Sequence, residues 1–160
     1  MLKHKLVLAD GTVLTSGPGT GNAIRSVTLT EQVSDSTDLC PGAACVTRAE
    51  LELWAPENGL GITQGEELTL YRLDTDAGTE NPAGIFLAEK PTKASANVYK
   101  VTAYDRMTLF DRDLSAWLRD NQGMFPLTLA EFLRKLCAQC GVALKAGTLD
   151  NLPNGGYRIR

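Results

Sequence analysis

Apolar and polar residues alternate in short runs up to residue 105. In the clearest run, residues 46–54, Thr47, Ala49, Leu51 and Leu53 share one face and charged residues occupy the other. This alternation predicts a strand with one face against a core and one face in water. Counting comparable runs, which include residues 24–32, 67–74 and 98–104, predicts about seven strands, at a spacing typical of an antiparallel sandwich or barrel.

The connections between these runs are rich in turn-forming residues. Asp10-Gly11, between the apolar residues 6–8 and 12–14, predicts a two-residue hairpin turn. Glycine and proline make residues 16–22 a flexible loop, and residues 33–44, 56–61, 74–82 and 91–97 are also predicted as loops. The loop at 91–97 would join two strands within the stretch Gly84–Leu114.

The pattern changes after Tyr104. The next apolar residues, which include Met107, Leu109 and Phe110, no longer alternate, so we expect a sheet to pass into a helical segment at Asp105-Arg106. We therefore predict a mainly β (α+β) chain. Residues 1–105 form an antiparallel β-barrel or sandwich-like domain, and residues 106–160 form a small helix-containing α/β appendage.

The strongest local signal in the chain is a helix over residues 128–140. An apolar stripe recurs at helical spacing: Leu129, Phe132, Leu133, Leu136, Cys137 and Cys140. Thr128 and Glu131 are spaced as a capping box, Leu127 and Phe132 as a hydrophobic staple, and Gly141 as the C-terminal glycine.

Weaker signals surround that helix. A short helix is predicted at Trp117-Leu118, a short strand at 142–145 and a turn at 154–156. Residues 157–160 resemble the start of a strand with no following partner, so we expect the chain to be a fragment of a longer protein.

Composition excludes several function classes. The net charge is -3, with no cluster of Lys and Arg, which argues against a nucleic-acid surface. No apolar run approaches the ~20 residues that span a bilayer, and we expect no signal peptide in residues 1–10, because Asp10 follows too soon for its apolar region. We expect a cytoplasmic protein with four reduced cysteines and without nucleic-acid or membrane partners.

Cys137 and Cys140 have the spacing of a metal knuckle or redox motif, and Cys40 with Cys45 would complete four ligands. Cys137 and Cys140, however, lie on the apolar stripe of the predicted helix, where a free cysteine packs as a small hydrophobic residue. In a redox motif, the nucleophilic cysteine also lies at the N-terminus of a helix, where its thiolate is stabilised. Cys137 and Cys140 instead lie at the C-terminal end of the predicted helix. Core packing is the preferred interpretation.

Other candidate sites have simpler explanations. We expect His4, the single histidine, to be an exposed terminal residue, and residues 17–21 to be a plain loop because a phosphate loop's Gly-Lys-Ser/Thr ending is missing. Two acidic sets suggest calcium ligands or an acid/base pair, but surface ion pairing or turn capping explains them more simply. These sets are Asp105, Asp111 and Asp113, and Asp74 with Asp76. We expect no catalytic, cofactor-binding or metal-ligating residues and no cofactor.

Five segments, in order, resemble the N-terminal region of the prophage tail proteins of Gram-positive bacteria, which is the baseplate hub or tail-associated structural protein family of tailed phages. The segments are Ser26–Glu31, Gly65–Tyr71, Gly84–Phe86, Val101–Arg106 and Leu133–Gly141. The resemblance implies a barrel-like domain at the distal end of the tail tube, three copies around a channel, and other tail and baseplate proteins as partners. It carries no catalytic residues.

Two hypotheses follow. In the first, the chain is a non-enzymatic virion structural protein that works by assembly through loops such as 16–22 and 74–82. In the second, it is the positioning module of a tail-associated cell-wall hydrolase or protease whose catalytic domain lies beyond residue 160. In either case we expect Asp105 and Arg106 to stabilise the boundary between the two domains.

Overall fold

The structure is a computed structural model that describes residues 2–17, 23–31, 46–55, 60–74 and 76–160. The chain divides into two compact units, Met1–Thr108 and Leu109–Arg160. The sequence pattern predicted this boundary between residues 105 and 106, where the short 3-10 helix Arg106–Phe110 begins.

The first unit is an antiparallel sheet, so the mainly β fold is confirmed. Its strands are β1 (Leu2–Val7), β2 (Val13–Thr15), β3 (Ile24–Thr30), β4 (Arg48–Trp54), β5 (Glu67–Asp74), β6 (Thr79–Ala88), β7 (Thr92–Ser95) and β8 (Val98–Asp105). Seven of them follow the order β2-β1-β5-β6-β8-β4-β3, and β7 pairs with β8. The N–H of Ala23 donates to the carbonyl of Thr15 (3.1 Å), so the two ends of the sheet approach each other.

One face of this sheet surrounds a single apolar core. The core residues come from six strands and two adjoining segments: Leu6, Leu8, Ile24, Ala49, Leu51, Leu53, Ile62, Leu68, Leu70, Phe86, Ala88, Val101 and Ala103. Because successive side chains point to opposite faces of a strand, the residues between them form the outer surface. Burial of Ala49, Leu51 and Leu53 confirms the face assigned to the clearest alternating run.

A β-bulge explains why β3 alternates less regularly. The pairing of β3 with β4 shifts between Ile24 and Ser26, so Arg25 is the extra residue. Ile24 is therefore buried in the core while Val27 and Leu29, which simple alternation places on the opposite face, also pack against it.

Three predicted connections differ in the structure. The first hairpin has a longer connection than two residues, because Val7 pairs with Val13 and Gly11 adopts a φ of 85° after the turn. Most of the predicted loop 74–82 is strand, since β5 extends to Asp74 and β6 begins at Thr79. Residues 91–97 contain β7, an exposed polar strand without the apolar alternation that marks the others. The predicted loop at 33–44 lies outside the described residues.

The second unit contains α1 (Ser115–Asp120), a strand β9 (Leu127–Thr128), α2 (Leu129–Cys140) and a strand β10 (Arg158–Ile159). The capping box of α2 is present, and Gly141 ends the helix in the left-handed conformation at a φ of 74°. Both features confirm the sequence prediction. Phe132 lies 6.4 Å from Trp117 and 6.2 Å from Phe125 between ring centroids.

One prediction in this unit is wrong, because residues 142–145 are not a strand. The strand expected within residues 157–160 is present as β10. Its antiparallel partner is β9, which precedes it by about thirty residues, a separation that no local pattern reveals.

Candidate functional site

Cys137 and Cys140 are buried on α2, in agreement with core packing. Burial, and then the neighbouring Cys140, raise the pKa of the Cys137 thiol. A thiol with a raised pKa forms less thiolate, which is the species that attacks electrophiles and binds metals. Cys40 and Cys45 lie outside the described residues. Within the described ranges, no group of three or more His, Cys, Asp or Glu side chains is arranged to hold a metal ion.

His4 is not the exposed terminal residue that was expected. It lies within β1, half-buried, opposite Arg72 of β5. Its backbone N–H donates to Ser16 Oγ (2.7 Å), and its carbonyl accepts from the Ser16 N–H (2.9 Å). Burial, and then the charge of Arg72, lower the pKa of the imidazole. His4 is thus a neutral strand residue at physiological pH.

Asp74 and Asp113 cap turns. Asp74 Oδ1 accepts from the N–H groups of Asp76 (3.0 Å) and Ala77 (3.2 Å), and Asp113 Oδ1 accepts from the N–H of Ser115 (2.8 Å) just before α1. The hydrogen bonds from Ala77 and then Asp76 lower the pKa of the Asp74 carboxyl group, and those from the side chain and then the N–H of Ser115 lower the pKa of the Asp113 carboxyl group. Turn capping is the role that the sequence analysis preferred for them.

The predicted glycine-rich loop is described only in part. Its residues 18–22 lie outside the described residues, and β3 follows them.

Asp105 joins the end of β8 to the start of β4. Its Oδ2 accepts from the N–H of Thr47 (2.9 Å), and its Oδ1 accepts from the N–H of Met107 (2.9 Å). The backbone completes the link, because the Asp105 N–H donates to the Thr47 carbonyl (3.0 Å). Arg106 pairs with Glu67 of β5. Both residues therefore hold the first unit together at its C-terminal end.

Replacing Asp105 by Ala should lower the free energy of unfolding by about 1 to 3 kcal/mol, because two backbone N–H groups lose a charged acceptor. Asp105→Asn should cost less, since one acceptor oxygen remains. Urea denaturation measures both values, and Asp111→Ala, which alters an exposed carboxylate outside this network, serves as the control. Equal stability of Asp105→Ala and Asp111→Ala would contradict this role.

The capping box of α2 makes that helix sensitive to acid. Thr128 donates to Glu131 Oε2 from its N–H (2.9 Å) and its hydroxyl (2.8 Å), and these bonds lower the Glu131 pKa below its usual 4.5. A carboxyl group with a depressed folded-state pKa stabilises fully above its unfolded value, and the contribution disappears as pH falls through the folded value. The difference in melting temperature between wild type and Glu131→Gln should therefore shrink below about pH 4.5. A difference independent of pH would show that ionised Glu131 does not stabilise the cap.

A row of three apolar residues and one threonine crosses four strands on the outer surface of the sheet. Val13 of β2 lies opposite Val7 of β1, Val7 opposite Thr69 of β5, and Thr69 opposite Ile85 of β6. Val13 and Ile85 are 46% and 40% exposed. We call these four residues the apolar row. Strand order and register bring these residues side by side, and no local pattern in the sequence predicts that arrangement.

The first unit also carries two concavities of different character. One, of about 410 Å³, is lined mainly by apolar and neutral residues, with Lys90 supplying a charge. The other is a polar groove of about 160 Å³ across β3, β4 and β8. Among the described residues, no helix is both long and apolar enough to cross a membrane.

Comparison with known proteins shows a distant structural similarity to a virion protein. No protein-family profile matches the chain, and no curated protein matches its sequence. Among solved structures, the chain is similar to a chain from the virion of a native gene transfer agent particle, with 11% sequence identity and a TM-score of 0.44. The similarity covers 70% of this chain and 42% of the virion chain, so this chain spans less than half of that neighbour's length.

Proposed function

We propose that this chain is a non-enzymatic structural protein of a phage or prophage tail, which forms part of the junction between tail tube and baseplate hub. The proposal is carried by the five ordered segments that resemble baseplate hub proteins. Three of these segments lie in the neighbouring strands β5, β6 and β8, a fourth lies in β3, and the fifth in α2. The shared residues thus concentrate in one continuous sheet, as expected for a scaffold.

The apolar row supports assembly as the mode of action. Exposed apolar residues grouped on one surface are typical of sites that become buried against another protein. Neighbouring ion pairs, Lys5 with Glu80 and Arg106 with Glu67, place charges near the row, as in the polar rim of an interface. We assign this surface to contact with an adjacent tail subunit, in an assembly of three copies around the channel.

The decisive experiment places a charge on this surface in the complete protein. Ile85→Glu should reduce incorporation into tails, because a carboxylate would have to be buried in the interface. Thr30→Glu is the matched control, since Thr30 is exposed on β3 and lies opposite Arg48. Electron microscopy of tails and immunoblotting of purified particles measure incorporation, and light scattering measures the number of copies.

Three results would contradict the proposal. One is normal assembly by a folded Ile85→Glu protein, and another is a protein that never enters tails. The third is hydrolysis of peptidoglycan or protein by the purified chain, which would favour an enzymatic role.

A further inference from the structure

The polar groove on the outer surface is built from two cross-strand rows. Ser26 of β3 lies opposite Glu52 of β4, which lies opposite Lys100 of β8, and Thr28, Glu50 and Thr102 form the parallel row beside it. These six side chains line the groove, above a floor of Leu51 and Val101. Hydroxyl, carboxylate and ammonium groups therefore converge on one shallow depression, which offers both hydrogen-bond donors and acceptors.

An exposed aromatic ring lies at one end of this groove. Trp54 follows Glu52 by two residues on the same face of β4, which places it about 7 Å further along the strand. It remains 47% exposed, although the Arg25 guanidinium lies 5.6 Å from its ring centroid. Arg25 is the extra residue of the β3 bulge, and such bulges redirect a side chain. The contact with Arg25 restrains the indole while leaving about half of the side chain open to a ligand.

Glu52 and Lys100 of the groove are loosely paired, whereas Glu50 forms a close ion pair with Arg48. Glu52 lies 3.7 Å from Arg25 Nε and 3.6 Å from Lys100 Nζ, which exceeds the length of a good charge-assisted hydrogen bond. These groups therefore retain hydrogen-bonding capacity for another molecule. The two distances also leave Glu52 between two cations, so the groove presents both signs of charge within a small area.

This combination selects among ligand classes. Because Glu50 and Glu52 lie among the cations of the groove, it lacks the cluster of unpaired cations that the phosphates of a nucleic acid require. A polar lining also disfavours the apolar centre of a protein interface. A sugar fits both Trp54 and the polar groove. The C–H face of a sugar ring stacks on an indole. The sugar hydroxyl groups donate hydrogen bonds to carboxylates and accept them from ammonium and hydroxyl groups. An uncharged sugar makes these bonds without requiring a net charge in the groove.

We propose that Trp54 and the adjacent groove form a binding site for a neutral oligosaccharide, with one sugar ring stacked on Trp54 and the next in the groove. Glu52 and Lys100 hydrogen-bond the hydroxyl groups of the second ring. The site lies on the outer surface of β3, β4 and β8, whereas the apolar row crosses β2, β1, β5 and β6, so the proposal does not depend on the assembly role.

Titration of the full chain with chitotetraose, cellotetraose and maltotetraose tests this site, with heparin and a short oligothymidylate as charged probes. Calorimetry measures affinity, and Trp54 fluorescence in a Trp117→Phe background reports contact with the ring. At least one neutral oligosaccharide should bind. Trp54→Ala should weaken that binding at least about tenfold, and Glu52→Gln about fivefold. Trp54→Phe should retain part of the affinity, because it keeps an aromatic face.

Val13→Ala is the control, since it alters the outer surface away from the groove and should leave affinity unchanged. Circular dichroism must show the wild-type fold in each variant. Absence of binding to all three neutral oligosaccharides, equal affinity of Trp54→Ala and wild type, or Trp54-dependent binding of the charged probes alone would each overturn the proposal. None of these outcomes bears on the result of the tail-assembly experiment, so either proposal can be contradicted while the other stands.

Discussion

Replacing Phe86 by Ala should destabilise the first unit by about 3 to 5 kcal/mol, the usual cost of removing a large buried aromatic side chain. Phe86 is among the largest fully buried side chains and lies in the core on β6. Because natural domains are stable by only about 5 to 15 kcal/mol, this single loss should bring the unit close to unfolding. Truncation removes apolar burial and leaves a cavity that the surrounding strands fill incompletely.

The neighbouring residue provides the control for this experiment. Ile85 precedes Phe86 on the same strand but points outward and is 40% exposed, so Ile85→Ala should cost less than about 1 kcal/mol. Urea denaturation in a Trp117→Phe background lets Trp54 report on the first unit alone. If the two alanine variants were equally destabilised, the inward and outward faces of β6 would be wrongly assigned.

Replacing Gly84 by Ala should also cost at least about 2 kcal/mol, for two separate reasons. Gly84 has a φ of 156°, a conformation that costs other residues roughly 1 to 3 kcal/mol. A Cβ at this position would lie 3.0 Å from Cε2 and Cζ of Phe86, so the buried ring would have to move. Crowding of this kind in a packed core typically costs about 1 to 3 kcal/mol more.

Two controls separate these contributions. Gly65 has a φ of 84° but open space around it, so Gly65→Ala measures the backbone cost without the clash. Combining Gly84→Ala with Phe86→Leu should be less destabilising than the sum of the two changes, because the smaller side chain relieves the contact. Additive effects in this double-mutant cycle would show that the Cβ of residue 84 does not press on the ring.

Elements with strong local signals could be predicted from the sequence. In β4 each core residue alternates with a polar one, so the strand and its buried face follow from the pattern alone. The helix α2 was equally accessible, because Thr128, Glu131 and Gly141 mark its ends by hydrogen bonds and backbone conformations local to the sequence. β7 was missed because its four residues are all exposed, so it shows no apolar alternation.

The apolar row and the polar groove beside Trp54 were harder to predict from the sequence. Trp54 and Glu52 belong to a predicted outward face, but the sequence does not say that Ser26 and Lys100 lie on either side of Glu52. His4 was expected to be exposed because it is near the N-terminus, and pairing of β1 with both β2 and β5 made it half-buried. Exposure of a strand residue depends on which strands flank it, and that is a property of topology.

The sequence by itself therefore determined the mainly β class, most strands, the inward face of β4, and the caps of α2. These properties depend on side-chain periodicity and on hydrogen bonds between residues close in the chain. The tertiary structure decided the strand order, the pairing of β10 with β9, the apolar row and the groove beside Trp54. They arise from pairing between distant segments, whose partners and register are selected by packing of the whole core.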